Sequence, residues 1–304
     1  MDYDYINLRY DMQFTKSNAK IQRDVHSLLN KYPTVMSLVN DIVQQNGRSF
    51  LVGGAVRDLL FGLPIKDLDI EVYGLSPQEL EKLLSRYGSV DLVGKVFGVF
   101  RVQNLDVDWS LPRIDMAGRK PEVIIDPSMN IEQALRRRDL TINAMAIDLS
   151  MYTLIDPFGG LNDMRNKILR TPDPVFFIED PLRFYRVMQF ISRFEMYPEE
   201  QLNELCKKMD ISKVSVERID EEFRKLMLKS NNPSLGIRWI KSISRLNNIL
   251  PELAALVDVM QSSRWHPEYD AFEHTMQAVD AAARLKYDSD DNKLIVLLAA
   301  LCHD

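Results

Sequence analysis

Two aspartates separated by a single residue, Asp67 and Asp69, lie shortly after a glycine pair at Gly53 and Gly54. Glycine lets the backbone turn tightly, and the exposed N–H groups of such a turn can hold phosphate oxygens. Two carboxylates on one face of a strand can share Mg2+, which prefers oxygen ligands and keeps substrate phosphates in its shell. A pair of such ions can bind the attacking and the leaving oxygens of an in-line displacement. The spacing therefore predicts nucleotidyl transfer from a metal-bound triphosphate.

The elements that must position these residues are a strand, a helix and a second strand. Residues 49–52 are mostly apolar, as in a buried strand, and an apolar helical face over residues 55–61 ends at Gly62, a typical helix-capping residue. Residues 66–73 then alternate, so Asp67 and Asp69 project from one face of a strand. Solvated carboxylates at a strand edge are the simpler interpretation of the aspartates alone, but the upstream glycine turn favours a metal site.

A third candidate carboxylate lies in the strand predicted over residues 105–111, where Asp106 and Asp108 share one face. If this strand is the neighbour of the strand that carries Asp67 and Asp69, a third carboxylate reaches the metal site. The sequence leaves that adjacency open. The alternative is that these charges protect an edge strand from aggregation.

A run of three arginines at residues 136–138 comes directly before Asp139. Asn130 has the features of a helix N-cap, with Gln133 as its capping-box partner, and predicts a helix that continues to Asn143. Arginine donates hydrogen bonds to triphosphate oxygens, and Asp139 and Asn143 can bind ribose hydroxyls. The alternative is a solvated basic helix end that complements its own dipole.

A second helix is predicted to start at Asp180, an N-cap residue that is followed by a proline at the first helical position. Its polar residues fall within about a third of the helix circumference. They form one mostly cationic stripe of Arg183, Arg186, Gln189 and Arg193. On such a rigid helix, an aspartate can accept hydrogen bonds from the exocyclic amines of bases, and an arginine can donate to ring nitrogens and carbonyls. The alternative is a face of intrahelical ion pairs.

The composition predicts a globular protein of two or three domains, since 304 residues with 46% hydrophobic content can form more than one core. The net charge of -6 argues against holding nucleic acid by bulk electrostatics, so any RNA contact must be local. Residues 1–20 contain no apolar core segment, and the apolar run over residues 294–302 is too short for a bilayer, so we expect no signal peptide and no membrane association. Cys206 and Cys302 have no zinc-site spacing, which favours a reducing, cytoplasmic location.

The strand patterns are confined to the first half of the chain. Strands are predicted over residues 90–102, 105–111, 145–149 and 153–156, whereas helical periodicity dominates after about residue 180. The predicted fold class is therefore α+β, with a small mixed sheet flanked by helices, followed by an all-α part. We expect an N-terminal extension over residues 1–24, a mixed domain over 25–160, a helical domain over 161–255 and a further helical segment over 256–304.

Histidines and acidic residues recur near the end of the chain, at His266, Glu268, His274, His303 and Asp304. On helices, such separations can bring imidazole and carboxylate ligands to one divalent metal in a hydrolase site. The alternative is that each histidine is structural or solvated.

Taken together, these residues resemble the class II tRNA nucleotidyltransferases, known as CCA-adding enzymes, and the related bacterial poly(A) polymerases, over residues 50–304. The part that looks like the metal-binding motif of this family comprises Gly53, Gly54, Arg57, Asp58, Asp67 and Asp69. Asp108 matches the third carboxylate of the family. By the same resemblance, Asp67 and Asp69 are expected to hold the metal, and the two glycines and Arg57 to bind the nucleotide.

The later motifs resemble parts of the family that recognise nucleotides. Arg138, Asp139 and Asn143 look like the ribose-discriminating motif. Asp180 and Arg183 are similar to an amino-acid template that pairs with incoming CTP or ATP. Arg186 lies where the family has a further nucleotide-contacting arginine. Residues 156–160 with Asp163 look like the hinge between head and neck, and residues 216–222 look like the neck motif that buttresses the template helix.

The resemblance implies a nucleotidyltransferase head over residues 25–160 and a helical neck and body over 161–255 that selects nucleotides and binds RNA. It implies Mg2+ as the cofactor, and CTP, ATP and the tRNA 3′ end as partners, in the cytoplasm. Addition of CC only and poly(A) synthesis remain alternatives. Residues 94–97 resemble the CCA branch more than the poly(A) branch, but residues 114–135 are shorter than the family's flexible loop, which helps to switch from C to A addition.

Residues 256–304 resemble the opening of the HD phosphohydrolase domain that some bacterial members carry, with His274, His303 and Asp304 as possible metal ligands. A metal-dependent phosphohydrolase is therefore the alternative from another enzyme class. That alternative requires a further aspartate beyond residue 304. A catalytically idle RNA-binding module is the other alternative, and it predicts that Asp67→Ala changes no activity.

Overall fold

The computed structural model describes residues 18–65, 67–93, 98–116, 122–261 and 270–304. The features predicted for residues 1–17, for residues 94–97, and for His266 and Glu268 lie outside these ranges. The chain divides into two compact units. The first unit comprises residues 1–134 and 145–157, and the second comprises residues 135–144 and 158–304. The four-segment domain plan stays a prediction.

The first unit is built around a mixed sheet of seven strands. Its strands and those of a separate hairpin are β1 (Arg48–Val52), β2 (Leu68–Tyr73), β3 (Val90–Val93), β4 (Val99–Val102), β5 (Val107–Ser110), β6 (Arg113–Met116), β7 (Glu122–Ile125), β8 (Ala146–Asp148) and β9 (Thr153–Ile155). The strand order in the sheet is β3-β4-β5-β2-β1-β8-β9, and β6 pairs with β7 alone. Strands β2 and β5 run parallel, and the other pairs of this sheet are antiparallel. The predicted α+β class with a mixed sheet is confirmed.

Helices pack against this sheet. They are α1 (Asn18–Leu29), α2 (Pro33–Gln44), α3 (Gly54–Phe61) and α4 (Pro77–Leu84), and a short α5 (Ile131–Arg136) follows the hairpin. Ser76 and Glu79 form the capping box that their spacing predicts, with the Ser76 N–H donating to Glu79 Oε2 at 2.8 Å. Gly62 ends α3 in the left-handed conformation, with φ 72°. Local sequence signals thus fix the helix ends around the glycine turn.

The strands next to the glycine turn have one buried apolar face and one face that carries polar groups. In β2, Leu68 and Ile70 are buried and Asp69 is half-buried. In β5, Trp109 is fully buried and Asp108 is half-buried. Helices α2 and α3 contact β1, and the half-buried Asp69 and Asp108 lie on the face of the sheet opposite that of Ile70 and Trp109.

The second unit is almost entirely helical. Its helices are α6 (Gly160–Asn166), α7 (Pro174–Glu179), α8 (Leu182–Phe194), α9 (Glu200–Lys208), α10 (Val216–Lys229), α11 (Ser234–Ser242), α12 (Leu246–Ile249), α13 (Pro251–Ala254), α14 (Ala271–Ala283) and α15 (Asp290–Leu301). A 3-10 turn spans Thr141–Asn143, and two short strands, β10 (Ile168–Leu169) and β11 (Tyr197–Pro198), pair in parallel. Helix α8 packs against both α10 and α11. At Gly236 of α11 an added Cβ would lie 2.5 Å from the Met188 carbonyl oxygen, so only glycine allows this close approach.

Two predictions about local structure are wrong. Residues 90–102 form two antiparallel strands rather than one, and Gly98, with φ 60°, lies just before the second. The helix expected from Asn130 to Asn143 ends at Arg136, because the Asp139 carboxylate accepts the Leu140 N–H and so competes with helical hydrogen bonds.

Gln189, which the sequence places in the polar stripe of α8, is 1% exposed, so this stripe is partly buried. The packing of α10 and α11 against two sides of α8 leaves only a narrow face for polar groups. Of the helices in the described ranges, none combines the length and the apolar character that crossing a bilayer requires.

Candidate active site

The glycine turn of the first unit lies between β1 and α3. Gly53 has φ 66° and ψ -130°, a backbone conformation that residues with a Cβ rarely adopt, and Gly54 is the first residue of the helix. The first N–H groups of a helix have no partner within the helix, and they favour an anion. Arg57 is 5% exposed, and its Nη2 lies 2.7 Å from Asp58 Oδ1. The turn therefore offers backbone donors, while Arg57 is held by its neighbour.

The strand register brings two of the predicted carboxylates side by side. Strands β2 and β5 are parallel neighbours, and Asp69 is the register partner of Asp108. Adjacent strands lie about 4.8 Å apart, so side chains on the same face of a register pair are close neighbours. Asp67 is exposed one residue before β2, and Asp106 is exposed one residue before β5. The adjacency that the sequence left open is thus present, and the register selects Asp108 rather than Asp106.

An arginine that the sequence analysis did not single out contacts one carboxylate of this pair, Asp108. Arg101 on β4 is the register partner of Asp108 on β5. Its Nε donates to Asp108 Oδ1, and its Nη2 donates to Asp108 Oδ2 at 2.8 Å. The hydrogen bond and charge of Asp108, followed by the charges of Asp106 and Asp67, raise the pKa of Arg101. The sequence contained one signal for this residue: Arg101 is a charged residue between Phe100 and Val102, which are both buried, in a predicted strand.

The carboxylates fit a divalent metal by the chemistry of their oxygens. Asp67, Asp69 and Asp108 supply hard oxygen donors, which Mg2+ and similar ions prefer to nitrogen or sulfur. Asp69 lies on β2, and β2 pairs with β1, the strand that leads into the glycine turn. The carboxylates are therefore close to the turn. The first unit can therefore hold a divalent cation beside donors for phosphate.

The predicted ribose-binding residues of the second unit form a buried network around Asp139. Asp139 Oδ1 accepts hydrogen bonds from the Leu140 N–H at 2.8 Å and from Asn143 Nδ2 at 2.9 Å. Its Oδ2 accepts one from Arg186 Nε at 2.6 Å. Burial by itself raises the pKa of Asp139, but the Arg186 charge, these hydrogen bonds and the Arg183 charge outweigh it and lower the pKa to about 2. Asp139 is therefore an anion at neutral pH.

Arg186 connects this network to a neighbouring helix. Its Nη1 lies 3.8 Å from Glu222 Oε1 of α10, and its guanidinium lies over the Phe190 ring at 5.2 Å. Burial lowers the pKa of Arg186, but the charges of Asp139 and Glu222 raise it above the ordinary value. The structure thus brings together Asp139, Asn143 and Arg186, which the sequence placed in two separate motifs.

The predicted base-selecting pair, Asp180 and Arg183, is held apart by other partners. Arg183 donates from Nη1 to the Phe176 carbonyl and from Nη2 to the Arg137 carbonyl, both at 2.6 Å. Asp180 accepts the Leu182 N–H at 3.1 Å, as a helix-capping residue does, and contacts Arg218 of α10 at 3.1 Å. Among the described residues, no carboxylate hydrogen-bonds Arg183.

The positive charge of Arg183 is therefore only partly neutralised by its surroundings. Burial lowers its pKa, and the more distant charges of Asp139 and Asp180 only partly oppose this effect. Its guanidinium stays charged, with two neutral carbonyls as hydrogen-bond partners. Arg138, the remaining predicted nucleotide-binding arginine, is half-buried, and its backbone N–H donates to the Leu135 carbonyl at 3.1 Å.

The residues predicted to form a hinge are also fixed by a buried carboxylate. Asp163 is 4% exposed and accepts hydrogen bonds from Thr141 Oγ1 at 2.5 Å and from Arg170 Nε at 3.1 Å. Gly159 has φ 76°, a conformation that favours glycine. These contacts tie the 3-10 turn to α6 within the second unit.

A separate cluster lies at the end of the second unit. One ligand atom from each of His274, His303 and Asp304 lies within 4.8 Å of the others. The two imidazole rings are 5.2 Å apart between centroids. These three residues, which the sequence analysis named as possible metal ligands, are therefore close enough to share one ion.

Comparisons with known proteins agree with this architecture. Residues 49–170 match the family model described as the poly A polymerase head domain. The "Multifunctional CCA protein" of Mannheimia succiniciproducens is 37% identical over 268 residues, which are 84% of this chain and 62% of that protein. The chain thus spans about three fifths of the length of the curated relatives that it matches.

Solved structures share the fold. A CCA-adding enzyme solved with CTP matches with a TM-score of 0.65 and 25% identity, over 93% of this chain and 66% of its own. The Bacillus stearothermophilus CCA-adding enzyme, also in complex with CTP, matches with a TM-score of 0.64 and 25% identity, over 87% of this chain and 69% of its own. With the head-domain match and the relative of 37% identity, these likenesses agree with one another: residues 49–170 match the poly A polymerase head domain, and most of the chain is similar to CCA-adding enzymes.

Proposed function

We propose that this chain is a template-independent tRNA nucleotidyltransferase that adds C and A residues to the tRNA 3′ end from CTP and ATP. The observation that carries the proposal is the register of Asp69 with Asp108 beside the glycine turn at Gly53. The name of the Mannheimia relative and the CTP complexes of the similar enzymes support these substrates. CTP, ATP and tRNA are cytoplasmic, so we place the protein in that compartment.

The first unit carries out the chemistry in this proposal. Asp67 and Asp69 hold Mg2+, which neutralises charge on the triphosphate when bound. Asp108 accepts the proton of the tRNA 3′-hydroxyl as its oxygen attacks the α-phosphorus of the nucleotide. The new O3′–P bond forms while the bond from the α-phosphorus to the bridging oxygen breaks, and pyrophosphate leaves. The N–H groups of the Gly53 and Gly54 turn, together with Arg57, orient the phosphates.

The second unit selects the nucleotide in this proposal. Arg138, Asp139 and Asn143 recognise the sugar and phosphates, with Arg186 keeping Asp139 in position and contributing positive charge. Asp180 accepts from the amine of cytosine or adenine, and Arg183 donates to the neighbouring ring nitrogen. Asp180 can exchange Arg218 for a base because that pair is half-exposed, and exposed ion pairs contribute little to stability.

Incubation with defined tRNA ends tests the proposal. We expect tRNAs that end before CCA and after C to take up C from CTP, and a tRNA that ends after CC to take up A from ATP, all with Mg2+. Each nucleotide is supplied alone, and the products are resolved by length. Absence of incorporation in every combination would overturn the proposal. Incorporation of C without A identifies a CC-adding enzyme, and long A tails identify a poly(A) polymerase.

Arg183→Ala is expected to reduce kcat/KM for both CTP and ATP by about 30-fold, which corresponds to the loss of one charged contact to a base. Arg193→Ala is the matched control, because it removes the same charge from the same helix at a position that lies over the Phe194 ring. Steady-state kinetics with the tRNA that ends after CC measure both variants. Equal losses in the two variants would mean that Arg183 acts through net charge rather than by base selection.

A second candidate activity, metal-dependent phosphohydrolysis, is favoured by the close approach of His274, His303 and Asp304. A helical site of imidazoles and a carboxylate suits transition metals such as Mn2+ and Ni2+. Hydrolysis of bis(p-nitrophenyl) phosphate with these metals, compared between the wild-type chain and His274→Ala, tests this candidate separately from nucleotide incorporation.

A further inference from the structure

Arg101 has an acidic register partner on each side. It lies on β4 between Asp91 of β3 and Asp108 of β5. Cross-strand partners on one face of a sheet are within reach of each other's side chains. The guanidinium hydrogen-bonds Asp108, the partner on the side of the predicted metal site. Asp91 is exposed and offers an alternative partner.

The contact with Asp108 occupies both oxygens of the carboxylate that lies opposite the predicted metal ligand Asp69. Two nitrogens of the Arg101 guanidinium bind the two oxygens of the carboxylate in a fork arrangement, which fixes the carboxylate plane. The positive charge also interacts with Asp67, which precedes β2. A divalent cation that approaches Asp67, Asp69 and Asp108 therefore meets a cation that is already in place.

We propose that Arg101 is a positioning residue of the carboxylate site, an internal counter-ion that orients Asp108 and limits the affinity of the site for divalent metal. When metal binds, the guanidinium moves away from Asp108 toward Asp91. The inference rests on the proposed function, since it takes Asp67 and Asp69 as metal ligands and Asp108 as the carboxylate beside them. It concerns how tightly the metal is held rather than whether the reaction occurs.

The exposure of Arg101 and Asp108 indicates that their contact affects metal affinity rather than folding stability. The side chains of Arg101 and Asp108 are 55% and 31% exposed, and ion pairs at such positions contribute little to folding stability. A divalent cation carries twice the charge of a monovalent partner, so removing one positive neighbour affects its binding more strongly. Metal affinity should therefore change while the thermal stability stays constant.

The test measures Mn2+ binding by electron paramagnetic resonance, because the signal of free Mn2+ disappears on binding and requires no turnover. We expect Arg101→Gln to lower the Mn2+ dissociation constant on the order of tenfold. Arg101→Lys keeps the charge without the fork geometry, and its dissociation constant should stay near that of the wild type. Asp69→Asn serves as the control that loses the metal site. Thermal unfolding midpoints establish that all variants are folded.

The outcomes separate this inference from the proposed function. If the wild-type chain binds no Mn2+ at the site that Asp69→Asn removes, the proposed metal site itself fails. If the wild type binds Mn2+ and Arg101→Gln binds it equally or more weakly, the proposed function stands and the role of Arg101 as a limiting counter-ion is overturned. Tighter binding in Arg101→Gln, with near-normal binding in Arg101→Lys, supports the inference.

Discussion

Asp69→Asn is expected to lower nucleotide incorporation by roughly a thousandfold or more, because it removes a charge that the transition state of phosphoryl transfer needs and nothing else replaces it. Asp69 lies inside β2 with its backbone paired to β5, so the direction of its side chain is set by the sheet. Asparagine has nearly the same volume and keeps the half-buried position filled. The loss should therefore appear in the rate, with little change in the thermal unfolding midpoint.

The matched control for this prediction is Asp106→Asn. Asp106 is two residues from Asp108 and carries the same charge, but it precedes β5 and is not opposite Asp69 in the register. Its replacement should leave incorporation within about threefold of the wild type, as expected for an exposed charge screened by salt. Single-turnover incorporation of C into a tRNA that ends before CCA measures both variants. Similar large losses in the two variants would contradict the register argument, and an active Asp69→Asn would contradict the proposed metal site.

The contrast between Asp106 and Asp108 illustrates what the sequence could and could not predict. Alternation along a strand places both aspartates on one face, because side-chain direction is a local property. Which of them lies opposite Asp69 depends on the register between two strands that are distant in the chain. The sequence therefore predicted the candidate carboxylates, but the pairing of β2 with β5 was needed to select Asp108 over Asp106.

For the helix ends, too, local causes were predictable from the sequence and distant causes were not. The caps at Ser76 and Gly62 were predictable, since each depends on a few neighbouring residues. The end of α5 was not, because the carboxylate of Asp139 bonds its own neighbouring backbone and an arginine far along the chain. A polar side chain that enters a buried network overrides the local helix preference.

Contacts between distant segments were the least accessible to sequence reasoning. Asp139 and Arg186 each belonged to a recognisable motif, but their hydrogen bond joins residues that are 47 positions apart. Arg101 belonged to no motif, and only the pairing of β4 with β5 brings it to Asp108. Resemblance to a family points to residues by position, whereas these pairs follow from the packing of elements.

The second large effect is expected for Asp139→Ala, which should destabilise the chain by about 3–5 kcal/mol, as removal of one partner from a buried ion pair typically does. Asp139 is 7% exposed, and Arg186 donates directly to it. Without the carboxylate, the half-buried guanidinium keeps only more distant counter-charges, from Glu222 at 3.8 Å and from Asp180. Urea unfolding followed by far-ultraviolet circular dichroism measures the loss.

A double variant shows whether the cost comes from the orphaned charge. In Asp139→Ala combined with Arg186→Met, both charges are absent and an apolar side chain fills part of the space, so the protein should be more stable than Asp139→Ala alone. Glu222 keeps a partner in this variant, because Lys225 Nζ lies 2.7 Å from its Oε1. A double variant less stable than the single one would mean that Arg186 stabilises the fold through packing rather than through its charge.

The same pair makes stability depend on pH in a predictable direction. The folded pKa of Asp139, about 2, lies below its ordinary value of 3.8, so the unfolded chain binds the proton more tightly. The stabilisation is complete above the ordinary value and disappears as the pH falls through the folded value. Between pH 5 and pH 2, the wild type should therefore lose about 2 kcal/mol that Asp139→Asn, which has no proton to bind, does not lose. Parallel pH profiles for the two proteins would show that Asp139 is not the group whose ionisation Arg186 stabilises.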